Sequence, residues 1–225
     1  MLVVLTACAP EPAAAQGGAI DSLYRFFFVA AAVVFVVVSG LIGYSIVRFR
    51  RRPDDDGSLP PQTAHNVKLE VIWFALPTAL VLVLIGVTFR TLGDVTERAE
   101  RPLTIRTEAF QWGWRFDYGG GAVVVGLPED PAEIVVPVGR PIAFELVSGD
   151  VVHAFYVPRF LNKLDVVPGR TNRLDITVTR PGSYEGYCAE FCGLLHDRMT
   201  FTVKAVPPEE FDAWLAELRG QGGDN

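Results

Sequence analysis

Soft metal ligands are scarce in this chain of 225 residues, which holds three cysteines, three histidines and two methionines, one of them Met1. Charge is scarce too. Only 20% of residues are charged, and acids outnumber bases 26 to 20. That balance excludes the basic surface on which nucleic-acid binding depends. No Cys-x-x-Cys-His sequence occurs, so no c-type haem is attached to the chain. Internal repeats and long low-complexity tracts are absent as well.

Two long stretches lack charge almost entirely. Residues 24–47 carry only Arg25, and residues 69–92 carry Glu70 and Arg90 near their ends. Each is long enough to cross a hydrocarbon core of about 30 Å as a helix. Pro77 lies inside the second, where a membrane helix tolerates it. The loop between them, 48–68, opens with Arg48, Arg50, Arg51 and Arg52 against the first span. Such clusters stay on the cytoplasmic side. The loop is therefore expected inside, with the N-terminus and everything after residue 93 outside a bacterial plasma membrane.

The N-terminal residues 1–18 read as a signal remnant and a flexible small-residue linker. Leu5-Thr6-Ala7-Cys8 resembles the bacterial lipoprotein box, which implies lipidation of Cys8. The alternative is a free thiol in an uncleaved tail.

From Leu103 the chain breaks into about seven short apolar runs separated by Gly, Pro, Asp and Asn, the pattern of a small β-sandwich or Greek-key barrel. LTIRTEAFQWGWRFDY reads as a single strand segment. After Pro207 and Pro208, the helical spacing of Phe211, Trp214, Leu215 and Leu218 predicts a short terminal helix within 207–225. From residue 101 on, 12 basic face 17 acidic side chains, which suits a cationic partner.

The scarce ligands are concentrated in one place. YCAEFCGLLHDRM, residues 187–199, holds Cys188, Cys192, His196 and Met199. Thiolate, thioether and imidazole together suit copper, whereas structural zinc prefers four Cys or His ligands. A single loop cannot close a coordination shell. His65 falls in the cytoplasmic loop, which leaves His153 as the remote imidazole. One thiolate serves a mononuclear copper site; two thiolates four residues apart on a tight loop can bridge two ions. A disulfide between them would leave His153, His196 and Met199 unexplained.

Several segments together make the chain resemble cytochrome c oxidase subunit II over nearly its whole length. Cys188-Ala-Glu-Phe-Cys192-Gly-Leu-Leu-His196-Asp-Arg-Met199 matches the family's copper loop, with Ala189 where many members have Ser. Asp150-Val-Val-His153, Lys163-Leu-Asp165-Val-Val-Pro168-Gly169-Arg170, Gln111-Trp112-Gly-Trp114 and Leu69-Glu70-Val-Ile-Trp73 match further segments, with Gly113 where many members have an aromatic.

The resemblance implies a membrane protein: a two-helix transmembrane hairpin within 19–92, then an all-β cupredoxin-like Greek-key barrel, 93–206, with a short C-terminal helix. It implies a binuclear CuA centre in which Cys188 and Cys192 bridge two copper ions. His153 and His196 each bind one, and Met199 and the Glu190 carbonyl complete the shells. The Glu190 side chain would help bind magnesium against subunit I; its bland alternative is an exposed surface acid. Trp112 takes the place of the tryptophan against which cytochrome c docks and through which electrons arrive, whereas Trp114 reads as barrel packing. Glu70 matches the mouth of a proton path into subunit I, against the alternative of an interfacial acid beside Lys68.

The implied function is acceptance of electrons from cytochrome c and their transfer to subunit I. The alternatives are the CuA subunit of a nitric oxide reductase and a membrane-anchored copper carrier. Quinol oxidases have a related subunit without the copper ligands, all of which are present here.

Overall fold

A computed structural model describes residues 10–53, 57, 59 and 61–222. The chain divides into a helical unit, residues 22–91, and a β unit in which residues 92–222 are joined by the N-terminal residues up to 21. Cys8 lies outside the described residues.

Two helices, α1 (Ala15–Arg48) and α2 (Val67–Thr96), contain 34 and 30 residues. Both exceed the ~20 residues that cross a bilayer. Their apolar side chains are exposed around the whole circumference, Phe35 at 70% and Phe74 at 73% among them. A helix that is apolar all round and covered by no protein requires lipid as its solvent. Helix α2 runs through Pro77, and the Thr78 hydroxyl donates to the Phe74 carbonyl at 2.7 Å in the turn concerned. Asn66 starts α2: its side chain accepts from Leu69 N–H at 3.2 Å, while its own N–H donates to the Glu70 carboxylate at 3.0 Å. Glu70 thus has a local capping role.

The β unit contains β1 (Leu103–Phe110), β2 (Gly113–Asp117), β3 (Val123–Gly126), β4 (Ala132–Pro137), β5 (Pro141–Ser148), β6 (His153–Val157), β7 (Asn162–Val166), β8 (Asn172–Thr177), β9 (Gly182–Cys188), β10 (Thr200–Val206) and α3 (Pro208–Gly222). They form two five-stranded sheets, ordered β3-β2-β1-β5-β8 and β4-β10-β9-β6-β7. The pairs β1–β5 and β10–β4 are parallel and the others antiparallel.

Ten strands replace the seven expected, for three local reasons. Residues 111–112 turn the chain and split the first run into β1 and β2. β3 has only four residues. β7 carries charges on both exposed positions, Lys163 and Asp165, so its apolar signal is thin.

Alternation decides which side chains meet. Leu103, Ile105, Thr107 and Ala109 of β1 face inward, as do Tyr184, Gly186 and Cys188 of β9. The core is aromatic, with Phe155 4.9 Å in ring-centroid distance from both Phe144 and Phe201 and 5.9 Å from Trp114. Gly186 makes room for it, since a Cβ there would sit 2.3 Å from the Phe201 ring. Helix α3 closes one side: Phe211 and Leu215 are buried, and Trp214 meets Tyr118 edge-on at 5.2 Å.

The N-terminal segment is packed where a flexible linker was expected. Ala13 and Ala14 are buried. Ala13 N–H donates to the Arg159 carbonyl at 2.7 Å, and its carbonyl accepts from Thr179 N–H at 2.8 Å. Ala14 bridges Val178, Gln16 Oε1 accepts from Thr177 N–H at 3.0 Å, and Glu11 pairs with Arg180 at 2.7 Å. Small side chains, which suggested a linker, are what lets this segment lie flat on the β unit.

Placing a charge at the fully buried Ala13 should unseat this segment at a cost of about 2 kcal/mol or more. In the full-length Ala13→Asp protein, hydrogen exchange should accelerate at the Thr177 and Thr179 amides while β1 stays protected; unchanged exchange at those two amides would contradict the packing described.

Candidate metal centre

β9 delivers Cys188 inward at the end of the strand, opposite Phe155 of β6. The chain then leaves the sheet, makes a single 3₁₀ turn at His196–Arg198 and returns into β10. Cys188 N–H donates to the Met199 carbonyl at 2.9 Å and Ala189 N–H to the Ala154 carbonyl at 3.1 Å. These bonds close the loop and tie it to β6, whose first residue is His153.

The closure brings the expected donors together. The sulfurs of Cys188 and Cys192 lie 3.9 Å apart, and both thiols are free. His153 Nδ1 lies 3.8 Å from Cys188 Sγ, and His196 Nδ1 lies 3.7 Å from Cys192 Sγ. Met199 Sδ is 3.8 Å from Cys192 Sγ, and the Glu190 carbonyl oxygen is 3.2 Å from Cys188 Sγ. Ions about 2.3 Å from sulfur and about 2.0 Å from nitrogen span sulfur–nitrogen gaps of this size. His153, Cys188, Cys192 and Met199 are buried and His196 is half-buried. The donor set is soft, convergent and largely buried, which suits a thiophilic metal.

The electrostatics are those of a pair of thiols sharing one cavity. Burial raises the Cys188 thiol, but hydrogen bonds from His153 and the loop outweigh it and bring the group down to about 7. Burial and the negative charge then forming on Cys188 push Cys192 up to about 12. His153 is lowered by burial but raised further by Cys188 and Asp150, so its net shift is upward.

Two residues that the sequence placed in matched segments but gave no role hold this arrangement. Asp150 Oδ1 accepts from His153 Nε2 at 2.9 Å, which turns Nδ1 toward the sulfurs. Its Oδ2 accepts from Gln111 N–H at 2.6 Å. Gln111 Nε2 in turn donates to the Cys192 carbonyl at 2.6 Å. Asp150 stands three residues before His153, a spacing that was legible; the link to Gln111 was not.

The remaining expected residues fall into place differently. Trp112 is half-buried against the loop at Gly193, and its Nε1 is buried without an acceptor among the described residues. Trp114 is core packing, as read, with its ring 6.5 Å from that of His153 and its Nε1 donating to the Met199 carbonyl at 3.4 Å. The Glu190 carboxylate is exposed, and Lys163 Nζ stands 3.8 Å from it and 3.4 Å from Asp165. Glu70 belongs to the helical unit. Phe191, at 79%, and Leu194, at 84%, project from the loop into solvent.

Fold and donor set together define a class: a cupredoxin-type metal protein carried on two apolar helices. The family model for the periplasmic domain of cytochrome c oxidase subunit II matches residues 103–206, and that for its transmembrane domain matches residues 7–90. The chain belongs to the cytochrome c oxidase subunit II family. It is 32% identical to a probable cytochrome c oxidase subunit 2 of Streptomyces coelicolor, over 95% of this chain and 79% of that one. The subunit 2 of Synechocystis sp. is 30% identical over 92% and 74% of the two chains. Among solved structures, the periplasmic domain of subunit II of the cytochrome oxidase of Bradyrhizobium japonicum superposes with a TM-score of 0.50 at 28% identity, covering 56% of this chain and 98% of that domain.

Removing the Asp150 carboxylate should release His153 from its orientation and lower metal affinity by roughly 10- to 100-fold. Chelator competition on the metal-loaded Asp150→Ala protein measures this; affinity equal to that of the parent would assign Asp150 no part in the site.

Proposed function

We propose that this chain is the electron-accepting subunit of a cytochrome c oxidase. It takes electrons from a cytochrome c at a binuclear copper centre and passes them to the haem and copper of subunit I, where oxygen is reduced to water with proton pumping. The observation that carries this reading is the pair of free sulfurs 3.9 Å apart, each with its own imidazole nitrogen at 3.7–3.8 Å. A mononuclear copper site takes two imidazoles and one thiolate, so the second thiolate is what a single ion would leave unused. In this reading Cys188, Cys192, His153, His196, Met199 and the Glu190 carbonyl would together hold the copper pair. The bound copper pair supplies one-electron transfer.

The protein's own contribution is to hold the donors still. The loop ends are joined by the Cys188–Met199 bond, and His153 is fixed by Asp150. Ligands that cannot relax keep the reorganisation on electron transfer small. Trp112, packed on the loop, is where the electron arrives from cytochrome c. The acidic excess of the outer domain attracts a lysine-rich donor, a contribution to association rate that salt screens.

Glu190 would serve a magnesium ion shared with subunit I; its exposed carboxylate, 3.8 Å from Lys163 Nζ, is available for that role. Glu70 at the mouth of a proton path remains compatible with its capping bond. Localisation in a bacterial plasma membrane, with the copper domain outside, follows from the arginine cluster after the first span. Lipidation of Cys8 would add a second anchor. The relatives found are oxidase subunits, which favours this reading over the nitric oxide reductase subunit and the copper carrier.

The test is the electron paramagnetic resonance spectrum of the copper-loaded full-length chain, since the N-terminal segment packs into the β unit. Hyperfine splitting shared over two copper nuclei, lost on Cys192→Ser, is expected. A single-copper pattern would overturn the binuclear reading and favour a copper carrier.

A further inference from the structure

Trp112 lies against the metal loop at Gly193. Its Nε1 is buried and meets no acceptor among the described residues. The indole position is therefore decided by what the ring packs on and by what tethers its main chain. The packing surface is Gly193, where a Cβ would come within 3.1 Å of Trp112 Cζ2, 3.2 Å of Nε1 and 3.0 Å of Gln111 Nε2. With φ at +127°, this position also disfavours any side chain.

The tether is Gln111. Its main-chain N–H donates to Asp150 Oδ2 at 2.6 Å, and the other oxygen of that carboxylate holds His153. Its side-chain amide donates to the Cys192 carbonyl at 2.6 Å. One residue, adjacent in sequence to the indole, is thus bonded to the anchor of one metal-binding histidine and to the main chain of one metal-binding cysteine. Residues 111 and 112 form the turn between β1 and β2, with Gln111 exposed and Trp112 half-buried.

We propose that Gln111 is a positioning residue for electron transfer: its side-chain amide clamps the Trp112 turn onto the metal loop. The clamp holds the indole in contact with the loop and gives a short covalent and hydrogen-bonded route, Trp112 to Gln111 to the Cys192 carbonyl. The electron that leaves the reduced donor arrives at Trp112 and continues along this route to the oxidised copper centre. No bond is made or broken and no proton moves. Gln111 touches neither donor nor metal in this account. The inference rests on the reading of Trp112 as the point of electron arrival.

The experiment uses three full-length variants, each metal-free in detergent and copper-loaded within the assembled oxidase. Gln111→Leu removes the donor, Gln111→Glu keeps the length but presents acceptors to a carbonyl, and Trp112→Phe is the control. In the metal-free protein, loss of one hydrogen bond should raise amide exchange about fivefold in both segments it joins, 111–113 and 192–196, for the two Gln111 variants. In the loaded assembly the same variants should keep the copper spectrum and potential, with KM for reduced cytochrome c unchanged, while the single-turnover rate of donor oxidation falls about tenfold or more. Trp112→Phe should slow that rate without raising exchange at 192–196.

If Trp112→Phe slows oxidation but the Gln111 variants change neither rate nor exchange, the clamp is refuted and the reading of Trp112 stands. If Trp112→Phe leaves the rate untouched, the reading of Trp112 itself is refuted. If the Gln111 variants lose copper or shift its potential, the residue belongs to the metal's own surroundings and the positioning role is overturned.

Discussion

The hydrogen bond from Cys188 N–H to the Met199 carbonyl is the constraint on which the centre depends. It joins the end of β9 to the start of β10, so the intervening chain must form a closed loop. Within that loop the two cysteines cannot separate, and His196 is held on the side of Cys192. The ladder from β9 to β6 then brings His153 against Cys188. Without the closure, four donors from one segment and one from a distant strand would have no common volume. With it, the soft donors converge at one buried site.

That site is built on an aromatic core. Phe155, Phe144, Phe201 and Trp114 pack ring on ring behind the centre, and each such contact adds about 1 kcal/mol beyond its buried area. Trp114 belongs to both regions, packing on Phe155 while its ring NH meets the Met199 carbonyl. Rotamers locked in this way limit how far the loop can breathe, because a close-packed interior transmits displacement and does not absorb it. The hydrogen bonds of Asp150 add direction to this stiffness. They set which imidazole nitrogen points at the sulfurs.

The surface has a different logic. Acids outnumber bases on the outer domain. The loop itself shows apolar side chains, Phe191 and Leu194, to solvent. Charge acts at a distance and is screened by salt, while apolar contact acts only on touching.

The residues also divide by how far their information reaches along the chain. Hydrophobic length is a local property, so both apolar spans were legible. So was the cluster of soft side chains within residues 188–199, which the structure brings together with the remote His153. The alternation in β8 and β10 was readable for the same reason, as was the spacing of α3.

What the sequence alone did not determine rests on distant pairs. Gln111 meets Cys192 and Asp150 across long stretches of chain, and Ala13 meets Thr179 near the far end of the fold. The turn at 111–112 carries no glycine or proline of its own, so β1 and β2 read as one run. A hydrogen bond between remote residues leaves no periodicity behind it. Only the tertiary structure decides that Ala13 and Ala14 are core, that Asp150 aims His153, and that Trp112 rests on Gly193.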